Sequence, residues 1–278
     1  MVTVSDVVAP MERYAPAWLA ESWDHVGLQL GDNRQEVHRM MVTLDVRPET
    51  VAEAVDAGVD LIYAHHPAMF HAVKTFDLSV PQNQMYATIL QHGITVYAAH
   101  TNLDSTANGM NDWLCAQLGL KDVAVLIQPD ASQRAHIKAE HRTGLYGLGR
   151  LGTLPRPLTA REFADYCEEH LDVPGLRLIT PDHDKMISRV AVLGGSGAGF
   201  YQDALAQGAD AYVTGDVGYH TAHDMVAAGL TVVDPGHHIE VVSATHMRQL
   251  FEKWNQENEW HIDVIQSKIN TEPFEFIK

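Results

Sequence analysis

Two adjacent histidines, His65 and His66, follow directly on the apolar run Leu61-Ile62-Tyr63-Ala64 and stand before Pro67. Neutral imidazole is the commonest metal ligand, and where a strand ends the turning backbone lets both rings face one pocket. With 17 histidines in the chain, about one such pair arises by chance, so the dipeptide needs context. Three further clusters supply it: His100-Thr101-Asn102-Leu103-Asp104, Thr214-Gly215-Asp216 with Tyr219-His220, and Gly236-His237-His238-Ile239-Glu240.

Imidazoles and carboxylates without a thiolate suit a divalent ion such as Zn, Mn, Fe, Co or Ni, and do not distinguish among them. One ion would leave several of these groups redundant. Two ions sharing a carboxylate and a water-derived oxygen would use the set, and water activated between them is a nucleophile at neutral pH. The competing reading is that strand-end histidines bond loop carbonyls while the carboxylates cap helices.

The elements that must position these residues repeat. Gly58 leads through an apolar strand to His65, and Gly93 leads to His100 with the same spacing; Gly208 leads to Gly215-Asp216, and Gly229 to Gly236-His237. A shift of 150 superposes Gly58 on Gly208, Asp60 on Asp210 and His66 on Asp216. A shift of 136 superposes Gly93 on Gly229, Thr101 on His237 and Asp104 on Glu240. An internal duplication explains both offsets. Short, fully apolar strands entered from helices predict an α/β fold with parallel strands, whose carboxyl ends collect on one sheet edge.

Around these units the spacing predicts a first helix capped by Ser5, a short strand within 23–31 in which His25 is either a ligand or a solvated residue, and a core strand over 40–44. Asp45 ends that strand, near the site or as a cap for a helix over 48–57. A helix over 81–91 precedes the His100 strand, and one over 108–118 follows with Asn108 as cap. Between 121 and 189 the pattern changes to a strand over 123–127, a polar histidine-containing link, a glycine-rich strand or hairpin over 144–154 and a helix over 158–171.

This segment reads as a smaller accessory α/β unit, the duplicated core being 1–120 with 190–278. The Gly194-to-Gly199 loop offers amides for an anion at a helix start but carries no dinucleotide fingerprint. A helix over 242–255 and a strand over 261–265 close the chain.

A formal charge of −17 disfavours tracking of nucleic-acid phosphates or anionic membranes, and bound cations would offset part of it. With 46% hydrophobic and 20% charged residues, the chain can bury a full core. Cys115 and Cys167 lack CxxC spacing, which argues against a disulfide framework or a thiolate zinc site and fits a reducing cytoplasm. The basic and apolar regions of a leader are absent, and no apolar run approaches a membrane span, so the expected location is cytoplasmic.

Taken together, His65-His66-Pro67, His100 to Asp104, Thr214-Gly215-Asp216 with Tyr219-His220, and Gly236 to Glu240 resemble the Nif-three-like dinuclear metal-centre family, named GTP cyclohydrolase type 2 homologs. The resemblance spans essentially the whole chain, including Trp23-Asp24, Val26-Gly27-Leu28 and Gly147-Leu148-Gly149-Arg150. It implies duplicated helix-strand units in two interleaved α/β domains, a homohexamer, and two divalent metals held by His65, His66, Asp104, His237 and Glu240. It places His100, Tyr219 and His220 in the pocket as catalytic residues.

Four departures stand out, the first being that the His-His-Pro loop continues as Ala68-Met69-Phe70. His25 replaces the asparagine usual in similar proteins, Glu240 follows His237 by three residues where some relatives have four, and the inserted middle domain of longer relatives is missing. The implied activity is hydrolysis of a small nucleotide-like or phosphorylated substrate; the alternative is a non-enzymatic hexameric metal-binding scaffold or regulatory partner.

Overall fold

The computed structural model describes residues 1–277. In chain order the strands are β1 (Gly27–Leu30), β2 (Arg39–Thr43), β3 (Leu61–Ala64), β4 (Thr95–Ala98), β5 (Lys121–Ile127), β6 (Leu148–Thr159), β7 (Arg177–Ile179), β8 (Met186–Val192), β9 (Ala211–Val213), β10 (Thr231–Asp234) and β11 (Asp263–Gln266). The helices are α1 (Val4–Tyr14), α2 (Pro48–Asp56), α3 (Pro81–Gln91), α4 (Thr101–Ser105), α5 (Met110–Gln117), α6 (Ala131–Ala139), α7 (Ala160–His170), α8 (Tyr201–Ala206), α9 (Tyr219–Ala227) and α10 (Val242–Glu257).

The chain folds into two interleaved α/β units, one of residues 1–103 with 243–271 and the other of 104–242 with 272–277. The first holds a sheet of order β1-β4-β3-β2-β11, with β2, β3, β4 and β11 parallel and β1 antiparallel. The second holds β5-β6-β8-β9-β10-β7, parallel through β8, β9 and β10 and antiparallel at β6 and β7. Helices α2 and α3 make the crossovers of the first sheet, and α8 and α9 those of the second, as parallel strands require.

The duplication holds to the register. Met40 pairs Leu61 in the first sheet and Val190 pairs Ala211 in the second, both shifted by 150; Leu61 pairs Thr95, and Ala211 pairs Thr231. The antiparallel edge follows too, since Leu28 faces Tyr97 where Leu178 faces Val233. Asp60 accepts from the amides of His38 and Arg39 at 2.7 and 3.0 Å, and Asp210 from those of Ser188 and Arg189 at 3.0 and 2.8 Å.

Gly58, Gly93, Gly208 and Gly229 each follow a helix with φ between +63° and +76°. A Cβ at any of the four would meet nothing within 4 Å, so it is the left-handed helix-ending backbone that calls for glycine. Each unit has its own core, Met41, Ile62, Ile89 and Val96 in the first, Ala191, Tyr212, Met225 and Val232 in the second.

Several expectations need correction. The strand ends lie on two sheets rather than one edge, because β3 and β4 pair in the first and β9 and β10 in the second. The segment 121–189 is no separate accessory unit: β6 pairs with β8 from Arg150–Val192 to Thr159–Met186, which builds it into the second sheet, while β11 joins the first. Thr3, not Ser5, caps α1, in a capping box with Asp6. Gly109, not Asn108, precedes α5, and the Asp104 loop is helical, forming α4. The glycine-rich stretch does run into a strand, β6, and the polar link contains α6.

Arg150, fully buried, pins the second unit around α5. Its guanidinium donates to Asp112 through Nε and Nη2, each at 2.8 Å, and to the carbonyls of Thr106, Leu145, Gly147 and Gly149. A buried charge is tolerated only when its donors are used in this way.

Candidate metal centre

In the first unit the rings of His65, His66 and His100 leave the carboxyl ends of β3 and β4, and one nitrogen from each lies within 4.8 Å of the others. His65 is fully buried. Each ring has its Nδ1 against an acceptor: the Ala99 carbonyl at 2.9 Å for His65, Asp45 at 2.7 Å for His66, Asp24 at 3.0 Å for His100. A carbonyl or carboxylate can only accept, so Nδ1 carries the proton and Nε2 is the lone-pair nitrogen in all three. Metal-ligating histidines are held by such partners.

Asp24 does more than face His100. The same oxygen accepts from the Thr101 amide at 3.1 Å and the Thr101 hydroxyl at 2.6 Å. Burial alone would raise its pKa; the hydrogen bonds from His100 and Thr101 outweigh that and hold the carboxyl below its usual value. Trp23 and Phe70, 54% and 55% exposed, set their ring centroids 6.0 and 6.4 Å from that of His100.

In the second unit, His237 follows β10 and its Nδ1 lies 2.7 Å from Asp216, which follows β9 with φ +56°. Its Nε2 is 3.0 Å from the buried carboxylate of Glu240. Asp104, also buried, brings a carboxylate oxygen within 4.8 Å of one from Glu240. Tyr219 and His220 are exposed on the first turn of α9, where Tyr219 packs on His220 and His223. His25 is exposed.

Each unit thus offers a compact donor set of its own, three imidazoles in the first and two carboxylates with an imidazole in the second. Cys115 and Cys167 are buried, and burial pushes the Cys115 thiol up to about 12 and Cys167 well above its ordinary value. Neither offers a thiolate, so the available donors fit divalent ions of intermediate hardness.

The sequence model of the family described as Duf34/NIF3 (NGG1p interacting factor 3) matches residues 2–273. The chain belongs to the DUF34/NIF3 family. It is similar to the GTP cyclohydrolase 1 type 2 homolog of Streptococcus pneumoniae serotype 4, at 41% identity over 276 residues, 98% of this chain and 99% of the relative. The Bacillus subtilis protein of the same name is 29% identical across 370 aligned positions and 99% of both chains. Those positions exceed the 278 residues here, so that relative carries residues this DUF34/NIF3 chain lacks. A hypothetical protein of Staphylococcus aureus shares the fold with TM-score 0.89 at 32% identity, over 99% of each chain.

For a DUF34/NIF3 chain read from sequence alone, the acceptors behind the histidines were the least visible part of the site. Asp45 stood as a site neighbour or a helix cap, and bonds His66. Asp216 stood among the ligands, and its carboxylate faces the Nδ1 of His237. Asp24 was marked only as part of the Trp23-Asp24 stretch of the resemblance, with no role attached, and bonds His100.

Proposed function

We propose that this chain is a dinuclear divalent-metal protein, a metal-dependent hydrolase of a small nucleotide-like or phosphorylated substrate, with His65, His66, Asp104, His237 and Glu240 as ligands. The observation that carries the reading is the fixed tautomer: acceptors on Nδ1 of His65 and His66 leave Nε2 as the ligand atom on each. Three imidazoles bring no charge, whereas Asp104 and Glu240 bring the negative charge that two divalent ions call for. When bound, such ions supply Lewis acidity, acidifying water and polarising a substrate oxygen.

The chain's own residues do the rest. His100, held by Asp24, presents Nε2 as a base for a proton released during hydrolysis. Trp23 and Phe70 offer exposed ring faces to a planar substrate, and the name of the relatives makes GTP the first compound to test. Tyr219 and His220 are proposed as further pocket residues on the exposed start of α9. We also propose a homohexamer in the cytoplasm: Phe70, Val73, Phe76, Leu78 and Val80 expose an apolar run suited to cover by other copies. Among the described residues no helix is long and apolar enough to cross a membrane.

That apolar run equally favours a scaffold built by assembly alone. The separating experiment is His65→Ala, assayed for turnover of GTP, other nucleotides and phosphodiesters with each candidate metal, alongside the assembly mass. Hydrolysis predicts loss of turnover with the mass unchanged. Loss of assembly, or a metal-loaded wild type inert on every substrate, favours the scaffold.

A further inference from the structure

Asn111 lies on the first turn of α5, fully buried and outside the proposed ligand set. Its Nδ2 donates to the backbone carbonyl of Asp104 at 3.1 Å, and its Oδ1 accepts from the amide of Gly194 at 3.0 Å. The two partners fix the orientation of the side chain, because a carbonyl cannot donate and an N–H cannot accept.

The turn held by Asn111 walls in Glu240. A Cβ placed on Gly195 would sit 2.6 Å from Oε1 of Glu240 and 3.0 Å from its Cδ; one on Gly194 would sit 3.2 Å from Oε1. No side chain fits at Gly195 without moving the carboxylate, and its φ of +62° adds a second reason for glycine there. The platform is stiff, because Asp112, next along α5, is gripped by the buried Arg150.

We infer that Asn111 is the positioning residue for the two carboxylates: one amide ties the backbone that carries Asp104 to the turn that backs Glu240, and so sets their separation. The inference rests on the metal-centre reading, in which both are ligands. A buried amide with two backbone partners could serve stability alone, and Asn83 provides the comparison. Also buried, it donates to the carbonyls of Thr75 at 3.1 Å and Asp77 at 2.9 Å, and it lies in the other unit.

The test measures zinc affinity by chelator competition, and metal-free melting temperature, for the wild type, Asn111→Ala, Gly195→Ala, the double variant and Asn83→Ala. Loss of a group that orients ligands costs roughly 10–100-fold in metal affinity. Asn111→Ala and Gly195→Ala are each expected to show that loss, and the double variant much less than their product, since both disturb one turn. Asn83→Ala is expected to lower the melting temperature and leave zinc affinity unchanged.

Should Asn111→Ala fold poorly, Gly195→Ala alone still decides whether this turn governs the site. Zinc affinity of Asn111→Ala or Gly195→Ala within twofold of wild type, or losses that multiply in the double variant, overturns the inference while leaving the metal centre intact. A wild type that takes up no metal overturns both.

Discussion

Asp45 reaches Nδ1 of His66 at 2.7 Å from just beyond the end of β2, and its second oxygen accepts from the hydroxyl of Thr271. Asp216 meets Nδ1 of His237 at the same 2.7 Å in the other unit. Each carboxylate can only accept, which places the His66 proton on Nδ1; His237 faces a second carboxylate, Glu240, through Nε2 at 3.0 Å, so there Asp216 orients the ring. Asp45→Asn and Asp216→Asn replace that acceptor with an amide able to present either end, and each is expected to weaken metal binding by about 10–100-fold. Chelator competition checks this; unchanged affinity in both would mean that the rings are held by other partners.

Asp24 has a different effect. It is held by His100 and Thr101 rather than by one of the five proposed ligands. Asp24→Asn leaves buried donors imperfectly matched, at a cost of about 1–3 kcal/mol. The expected result is a lower melting temperature and lost turnover with metal content retained. Metal loss with Asp24→Asn would move His100 into the ligand set.

Gly58 and Gly208 offer a test of the duplication. Both are left-handed and both have open space where a Cβ would go. Alanine at either should cost about 1–2 kcal/mol by backbone strain alone. Urea unfolding of Gly58→Ala and Gly208→Ala should therefore give matching losses. A large difference would show that one of the two helix ends carries a constraint the other lacks.

Alkaline pH provides a fourth test. Burial raises the Cys115 pKa from 9.0 to about 12, so the folded state keeps a proton that the unfolded chain releases. The associated stability is complete below pH 9 and is lost as the pH rises through about 12. Unfolding free energy should fall across that window, and Cys115→Ala should flatten the fall. Thiol reagents at pH 8 should leave the native protein unmodified.

The residues that were legible in sequence are those whose local pattern coincides with their tertiary role. β3, β4, β9 and β10 are short, wholly buried strands entered from a helix-ending glycine, a pattern that needs no knowledge of partners. The offset of 150 was readable because no residue is inserted between β2 and β3 relative to β8 and β9; its change to 136 reflects the longer stretch of chain between β3 and β4 than between β9 and β10.

What escaped depends on contacts distant in sequence. β6 pairs with β8 across more than twenty intervening residues, and nothing local in 121–189 announces that partner. Helix α6 has no buried residue and hence no apolar stripe; its one signal was the Asp130 and Gln133 capping box. Thr3 and Ser5 are both able caps, and Asp6, three residues after Thr3, was the cue that favoured the first. Asp24 stood out only within the Trp23-Asp24 stretch of the resemblance, and its role was hidden because its partners, His100 and Thr101, lie more than seventy residues on.

The most direct measurement of the central claim is the number of metal ions per chain, by elemental analysis of protein purified without tag or chelator and again after reconstitution with zinc or manganese. The account expects about two per chain, the number a two-metal centre requires, falling in His65→Ala. Persistent absence of bound metal in the reconstituted wild type would contradict it and leave these histidines as hydrogen-bonded strand ends.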